Sequence, residues 1–149
     1  MKSPLRLIAG VAIAAGLLSP SWPAYAQDQG AAQYAGQWGC QYSMQPFNKD
    51  PLSTHYWEFA MTLQPDTSYT MEGFYYSPSL GFQVPVYGEG QWGMTNQGPS
   101  GLAVSIQGQL YRRDAGWQPF QMIVTPANTR NLYLQFKGNT HFTNISCQR

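Results

Sequence analysis

The sequence predicts an all-β protein: an eight-stranded antiparallel up-and-down barrel, with a two-sheet β-sandwich as the alternative. Three observations carry this. From residue 36 onward apolar and polar side chains alternate with period two, and no stretch holds a 3.6-residue repeat. Clusters of Gly, Pro, Asn, Asp and Ser interrupt the alternation at hairpin spacing. The two cysteines, Cys40 and Cys147, lie in the first and last alternating runs, so a bridge between them joins the two ends of the sheet.

The N-terminal 26 residues have the three parts of an export signal. Lys2 and Arg6 open it, Leu7 to Leu18 supply an apolar stretch of about 12 residues, and Ala24-Tyr25-Ala26 is a small-x-small cleavage site. The stretch is too short for a membrane anchor, which takes about 20 residues. Cleavage after Ala26 leaves 123 residues, one domain's worth of core. Gln27–Ala35 is polar and rich in Gly, Ala and Gln and reads as a flexible arm; residues 36–149 form the domain. The expected compartment is periplasmic or extracellular, where two cysteines pair as a disulfide.

Eight strand-like runs follow, at about Gln37–Met44, His55–Gln64, Tyr69–Tyr76, Val84–Met94, Leu102–Arg112, Trp117–Thr125, Asn131–Lys137 and Thr140–Cys147. Pro65-Asp66-Thr67-Ser68 sets a tight turn through the fixed φ of proline and an Asp side chain that can accept from the next amides. Residues 96–101, 113–116, 126–130 and 138–139 punctuate the second half in the same way. Two connectors, 45–54 and 77–83, are longer and carry Phe47, Leu52, Leu80 and Phe82; irregular loops on a rigid scaffold are where recognition usually sits. Gly36-Gln37-Trp38-Gly39 recurs as Gly90-Gln91-Trp92-Gly93, a faint internal echo.

Alternation separates two faces. Trp38, Cys40, Tyr42 and Met44 fall inward, as do Trp57, Phe59, Met61 and Leu63, then Val84, Val86, Trp92 and Met94. Leu102, Val104, Ile106, Leu110, Phe120, Met122, Val124, Leu132, Leu134 and Phe136 continue the inner wall, and Ile145, Thr143 and His141 share the phase of Cys147. The lumen is thus expected to exclude ionisable groups. Glu58 and Glu89 point outward, while Glu72 sits in a mixed run that assigns it to neither face. Tyr56, Phe74, Tyr76, Tyr87, Tyr133 and Phe142 are outward aromatics, suited to cross-strand pairing or to a patch for a protein or a sugar.

Gly36-Gln37-Trp38 at the opening of the first run resembles the Gly-x-Trp signature of lipocalins and the wider calycin group. The resemblance implies a barrel plugged at one end by the Trp, with a late basic residue, Arg149 or Arg130, packed across it. It also implies binding of small hydrophobic molecules. Some bacterial members inhibit secreted proteases through an N-terminal arm, the place that Gln27–Ala35 would take.

Composition excludes other classes. Loss of Lys2 and Arg6 from 8 basic residues leaves six against 7 acidic, so there is no electrostatic footprint for nucleic acid and no stable membrane anchor after cleavage. Dispersed carboxylates, no nucleophile motif and oxidised cysteines argue against an enzyme. His55 and His141 share the inner phase, but a metal would need a further ligand, so neither metal nor cofactor is expected. The expected function is an exported binding protein for a small apolar or aromatic ligand at the open barrel end, on Trp57, Phe59, Trp92, Phe47 and Phe82. The alternative is a protein-interaction or protease-inhibitor module acting on an extracytoplasmic protein through the outer aromatics or the arm.

Overall fold

The computed structural model describes residues 29–98 and 101–149, so the export signal expected over 1–26 lies outside the described residues. Eight strands, β1 (Gly36–Pro46), β2 (His55–Leu63), β3 (Ser68–Tyr76), β4 (Gln83–Gly98), β5 (Gly101–Arg112), β6 (Gly116–Asn128), β7 (Asn131–Lys137) and β8 (His141–Gln148), follow a helical turn, α1 (Gln29–Ala32). Each strand pairs antiparallel with its sequence neighbours, and β1 pairs with β8. The sheet closes in up-and-down order, which removes the sandwich alternative.

Cys40 and Cys147 are direct register partners across the β1–β8 seam and form a disulfide. The bridge sits where closure otherwise rests on strand pairing between residues about a hundred positions apart. A loop of sequence separation 107 stabilises by about 4–5 kcal/mol through the entropy it removes from the unfolded chain.

Closure also needs bending, and facing glycines provide it. Gly90 and Gly108 are partners across β4 and β5. A Cβ on Gly108 would lie 2.0 Å from the Glu89 carbonyl oxygen, and one on Gly90 2.2 Å from that of Gln107. The strands approach more closely here than any side chain permits. In the β2–β3 turn the Asp66 carboxylate accepts from the Ser68 amide and hydroxyl, and those bonds hold its pKa below the usual carboxylate value. Thr67 takes a left-handed φ of 70°, and its carbonyl accepts from the Trp92 amide.

The inner face is a single apolar core. Trp38, Phe59, Met61, Leu63, Tyr69, Met71, Trp92, Val104, Ile106 and Val124 are each 3 % exposed or less. They pack against one another as one contiguous cluster inside the barrel. Two residues expected on this wall, Leu102 and Phe136, are exposed because they stand at strand ends beyond the packed layers. On the outside, Gln37, Gln41, Glu58, Glu72, Glu89, Gln91 and Gln109 are exposed. That polarity is the reverse of a membrane-spanning barrel, whose outer belt is apolar.

Residues 29–35, expected to belong to a flexible arm, instead pack on one barrel end. Ala31 and Tyr34 are buried, and the Trp38 indole N–H donates to the Tyr34 carbonyl at 2.9 Å. Arg149 lies across Trp38 and donates to the carbonyls of Gln33, Ala35 and Thr129. Buried apolar contacts and charge-assisted bonds repay the ordering of these residues, which composition alone could not show. Of the two late basic residues, Arg149 therefore occupies the position that the resemblance assigned to either; Arg130 supplies only a backbone carbonyl to the Arg149 amide.

Candidate functional site

With one end plugged, the opposite end is the mouth, formed by connectors 47–54, 77–82, 113–115 and 138–140. Asp50 shapes the first: its carboxylate accepts from the Leu52 amide and the Ser53 hydroxyl, fixing a single helical turn over Pro51–Ser53. The Phe47 amide donates to the Thr140 carbonyl and so ties the first connector to the last. In the second, Ser77 is buried and Leu80 packs against the core.

Just inside the mouth stands a cluster of rings, with Tyr42 and Trp57 half-buried and Tyr75 buried. Tyr42 stacks on Trp57 with centroids 4.6 Å apart, and Trp57 lies 4.9 Å from Tyr75. The Tyr75 hydroxyl is 2.6 Å from His55 Nδ1, and the Arg112 guanidinium sits 3.9 Å above the Tyr75 ring centroid. Two parallel bonds from Arg112 to Asp114 anchor that cation. Hydrogen bonding to the Asp114 carboxylate raises the Arg112 pKa, and the same bonds hold Asp114 below the usual carboxylate value. Loss of water around His55, with His141 and Arg112 nearby, lowers its pKa from the ordinary value of 6.5. Burial raises that of Tyr42.

Alternation in the fifth run continues past Leu110 to Arg112, so one charged group does face inward at the mouth. Tyr69, Met71 and Tyr75 form the inner row of β3, and Glu72 is exposed on the outer side. The mixed appearance of that run came from its outer residues Thr70, Glu72, Phe74 and Tyr76. Reading the opposite phase would have revealed the inner row.

The five expected ligand residues do not converge. Trp57 belongs to the mouth cluster, and Phe59, two residues farther along β2, is buried in the core. Trp92 is buried toward the plugged end, with its indole N–H on the Gln64 carbonyl at 2.8 Å. Phe47 packs edge-on against the outward Phe142, 4.7 Å between centroids, with the Lys137 ammonium over both rings. Phe82 is 59 % exposed on its connector. The repeated Gly-Gln-Trp-Gly thus places two indoles at the same barrel end, each bonded to a carbonyl of the chain crossing it.

The outer aromatics are unevenly placed. Tyr56, Phe74, Tyr76, Tyr87, Trp117 and Phe142 are exposed around the mouth half, and Leu52 and Phe82 project on the connectors beyond them. Tyr56 pairs with Tyr76, and Tyr87 with Tyr111, which in turn meets Trp117. Outside β8, β1, β2 and β3 a groove of about 440 Å³ runs past Tyr56, Phe74 and Tyr76 on one side and Gln41, Ser43, Asn144 and Ser146 on the other. Among the described residues, only Leu102 and Tyr133 of the exposed large hydrophobics lie toward the plugged end. Among these residues, no group of three or more His, Cys, Asp or Glu side chains is gathered as a metal site.

Comparison with protein-family models, with curated proteins and with solved structures finds no match.

Proposed function

We propose that this chain is an exported, calycin-like binding module whose recognition surface is the mouth end: the outer aromatic collar with its two apolar loop tips. One observation carries this. The inner apolar side chains form one buried cluster, while large aromatic side chains stay exposed in one half of the barrel. Exposed aromatic surface costs free energy that a partner would recover. The closed barrel and Arg149 packed over Trp38 support the calycin-like assignment. The disulfide supports an oxidising compartment, which accords with a signal cleaved after Ala26. Site-specific photocrosslinkers test the surface: from Tyr76 or Phe142 they are expected to capture a partner in the exported fraction, and from Gln37 at the plugged end they are not. Equal capture from all three positions overturns the assignment.

A second reading is favoured by the mouth cluster itself. A small flat aromatic or apolar ligand could lie on Tyr42, Trp57 and Tyr75, with Arg112 and His55 as polar handles. Trp57 emission titrated with a fatty acid and with an aromatic dye tests it. A saturable change lost in Trp57→Phe supports it; a flat response at all concentrations removes it.

A further inference from the structure

We propose that the mouth end docks reversibly on the surface of a lipid bilayer, with the barrel axis steep to the membrane. This rests on the collar being the recognition surface and names what it recognises. The collar is contributed by β2, β3, β4, β6 and β8, so it runs around the barrel instead of marking one side. A globular partner covers a face; a flat interface covers an end.

Leu52 and Phe82, 60 % and 59 % exposed, stand on the two longer connectors at the mouth. Behind them come Tyr and Trp side chains, which favour the headgroup level because each joins an apolar body to a polar tip. Phe82 follows Gly81, whose left-handed φ of 72° sets the bend that presents it. The same end carries Lys49, Arg113 and Lys137, all exposed, while Asp114 is held by Arg112 and Asp50 by its own turn. Apolar tips, an amphipathic belt and a modest cationic rim are what an interfacial anchor needs. The polar distal wall and the absence of a lipid-facing belt along the strands limit insertion to this end.

The test is flotation of the mature, disulfide-bonded protein with phosphatidylcholine vesicles, with and without about 30 % phosphatidylglycerol. Wild type is expected to float with the anionic vesicles and to blue-shift its emission, chiefly from Trp117, the exposed indole at 55 %. Leu52→Asp with Phe82→Asp is expected to weaken binding by about tenfold or more. Leu102→Asp with Tyr133→Ser, at the plugged end, is expected to leave it unchanged. Near-UV circular dichroism identical to wild type shows that the variants are folded. Trp117→Phe should remove most of the emission shift and weaken flotation less than loss of both tips.

No flotation of wild type with either vesicle overturns the lipid assignment, and the crosslinking experiment then decides separately whether the collar is a surface for a protein. Flotation that survives loss of both tips, or falls equally in the plugged-end variant, overturns the end-on geometry.

Discussion

The Arg149 guanidinium carbon lies 4.8 Å from the centroid of the Trp38 indole and its nitrogens bond three backbone carbonyls, so the last residue of the chain locks the first strand's Trp and the segment before it. Arg149→Ala removes the cation–π contact and the bonds together. Because the group is exposed, the expected cost is about 1–2 kcal/mol. Urea unfolding should show a lower midpoint with an unchanged slope. Arg149→Lys should recover less than half, since an ammonium cannot span the three carbonyls while lying flat on the ring. Full recovery by Lys would show that charge alone is needed.

Reduction of Cys40–Cys147 should lower stability by about 4–5 kcal/mol, the loop-entropy value, without opening the barrel in native buffer, because β1 and β8 remain paired along their length. Urea midpoints with and without reductant, compared with a Cys40→Ala/Cys147→Ala double variant, measure this. A loss below about 1 kcal/mol would mean that the reduced unfolded chain is already compact.

Acid should weaken the mouth. His55 has a folded pKa below its ordinary 6.5 because burial, His141 and Arg112 all disfavour its charged form. The unfolded chain therefore binds the proton more readily, so this contribution is fully present above pH 6.5 and is lost as pH falls through the lower folded value. Urea midpoints should drop between pH 7.5 and pH 5 by more in wild type than in His55→Gln. A His55 imidazole titrating above 6.5 by NMR would reverse the sign and refute the account.

How much of this was legible from residues can be traced at particular positions. All eight strands and the Cys40–Cys147 bridge follow from period-two alternation and from two cysteines at the ends of a closed sheet. The packing of Ala31 and Tyr34 was not legible, because small and polar residues gain their burial only from a barrel end assembled by distant strands. Arg112 was missed for a related reason: a charged residue at a strand end reads as solvated until a ring such as Tyr75 comes from another strand to receive it. The scattering of Phe47, Phe59, Phe82 and Trp92 has the same origin. Apolar character marks a residue as able to bind, while strand length and turn position decide which barrel end it reaches.

Glycine at the β4–β5 bend should be irreplaceable where glycine on β1 is not. Gly108→Ala would drive a methyl to 2.0 Å from the Glu89 carbonyl oxygen, backbone that cannot yield without opening the pair. The expected loss is about 3 kcal/mol, the upper end of overpacking costs. Gly39→Ala meets only the Gln148 carbonyl at 3.9 Å, ordinary contact, and should change stability by less than about 0.5 kcal/mol. Thermal unfolding of both variants compares them directly, and equal losses would place the bend elsewhere.

Tyr69 gives the last expectation. Its ring is 1 % exposed in the core, its hydroxyl has no hydrogen-bond partner among the described residues, and burial with Glu89 nearby pushes its pKa well above the usual phenol value. A buried hydroxyl without a partner costs about 1–3 kcal/mol in lost hydration, while the ring around it packs as well in phenylalanine. Tyr69→Phe should therefore be neutral or stabilising by up to about 1 kcal/mol, a rare sign for a core substitution. Urea unfolding measures it. A loss above about 1 kcal/mol would show that the hydroxyl is bonded, by an enclosed water bridging it to backbone, and the core beside Gly90 would then be wet instead of dry.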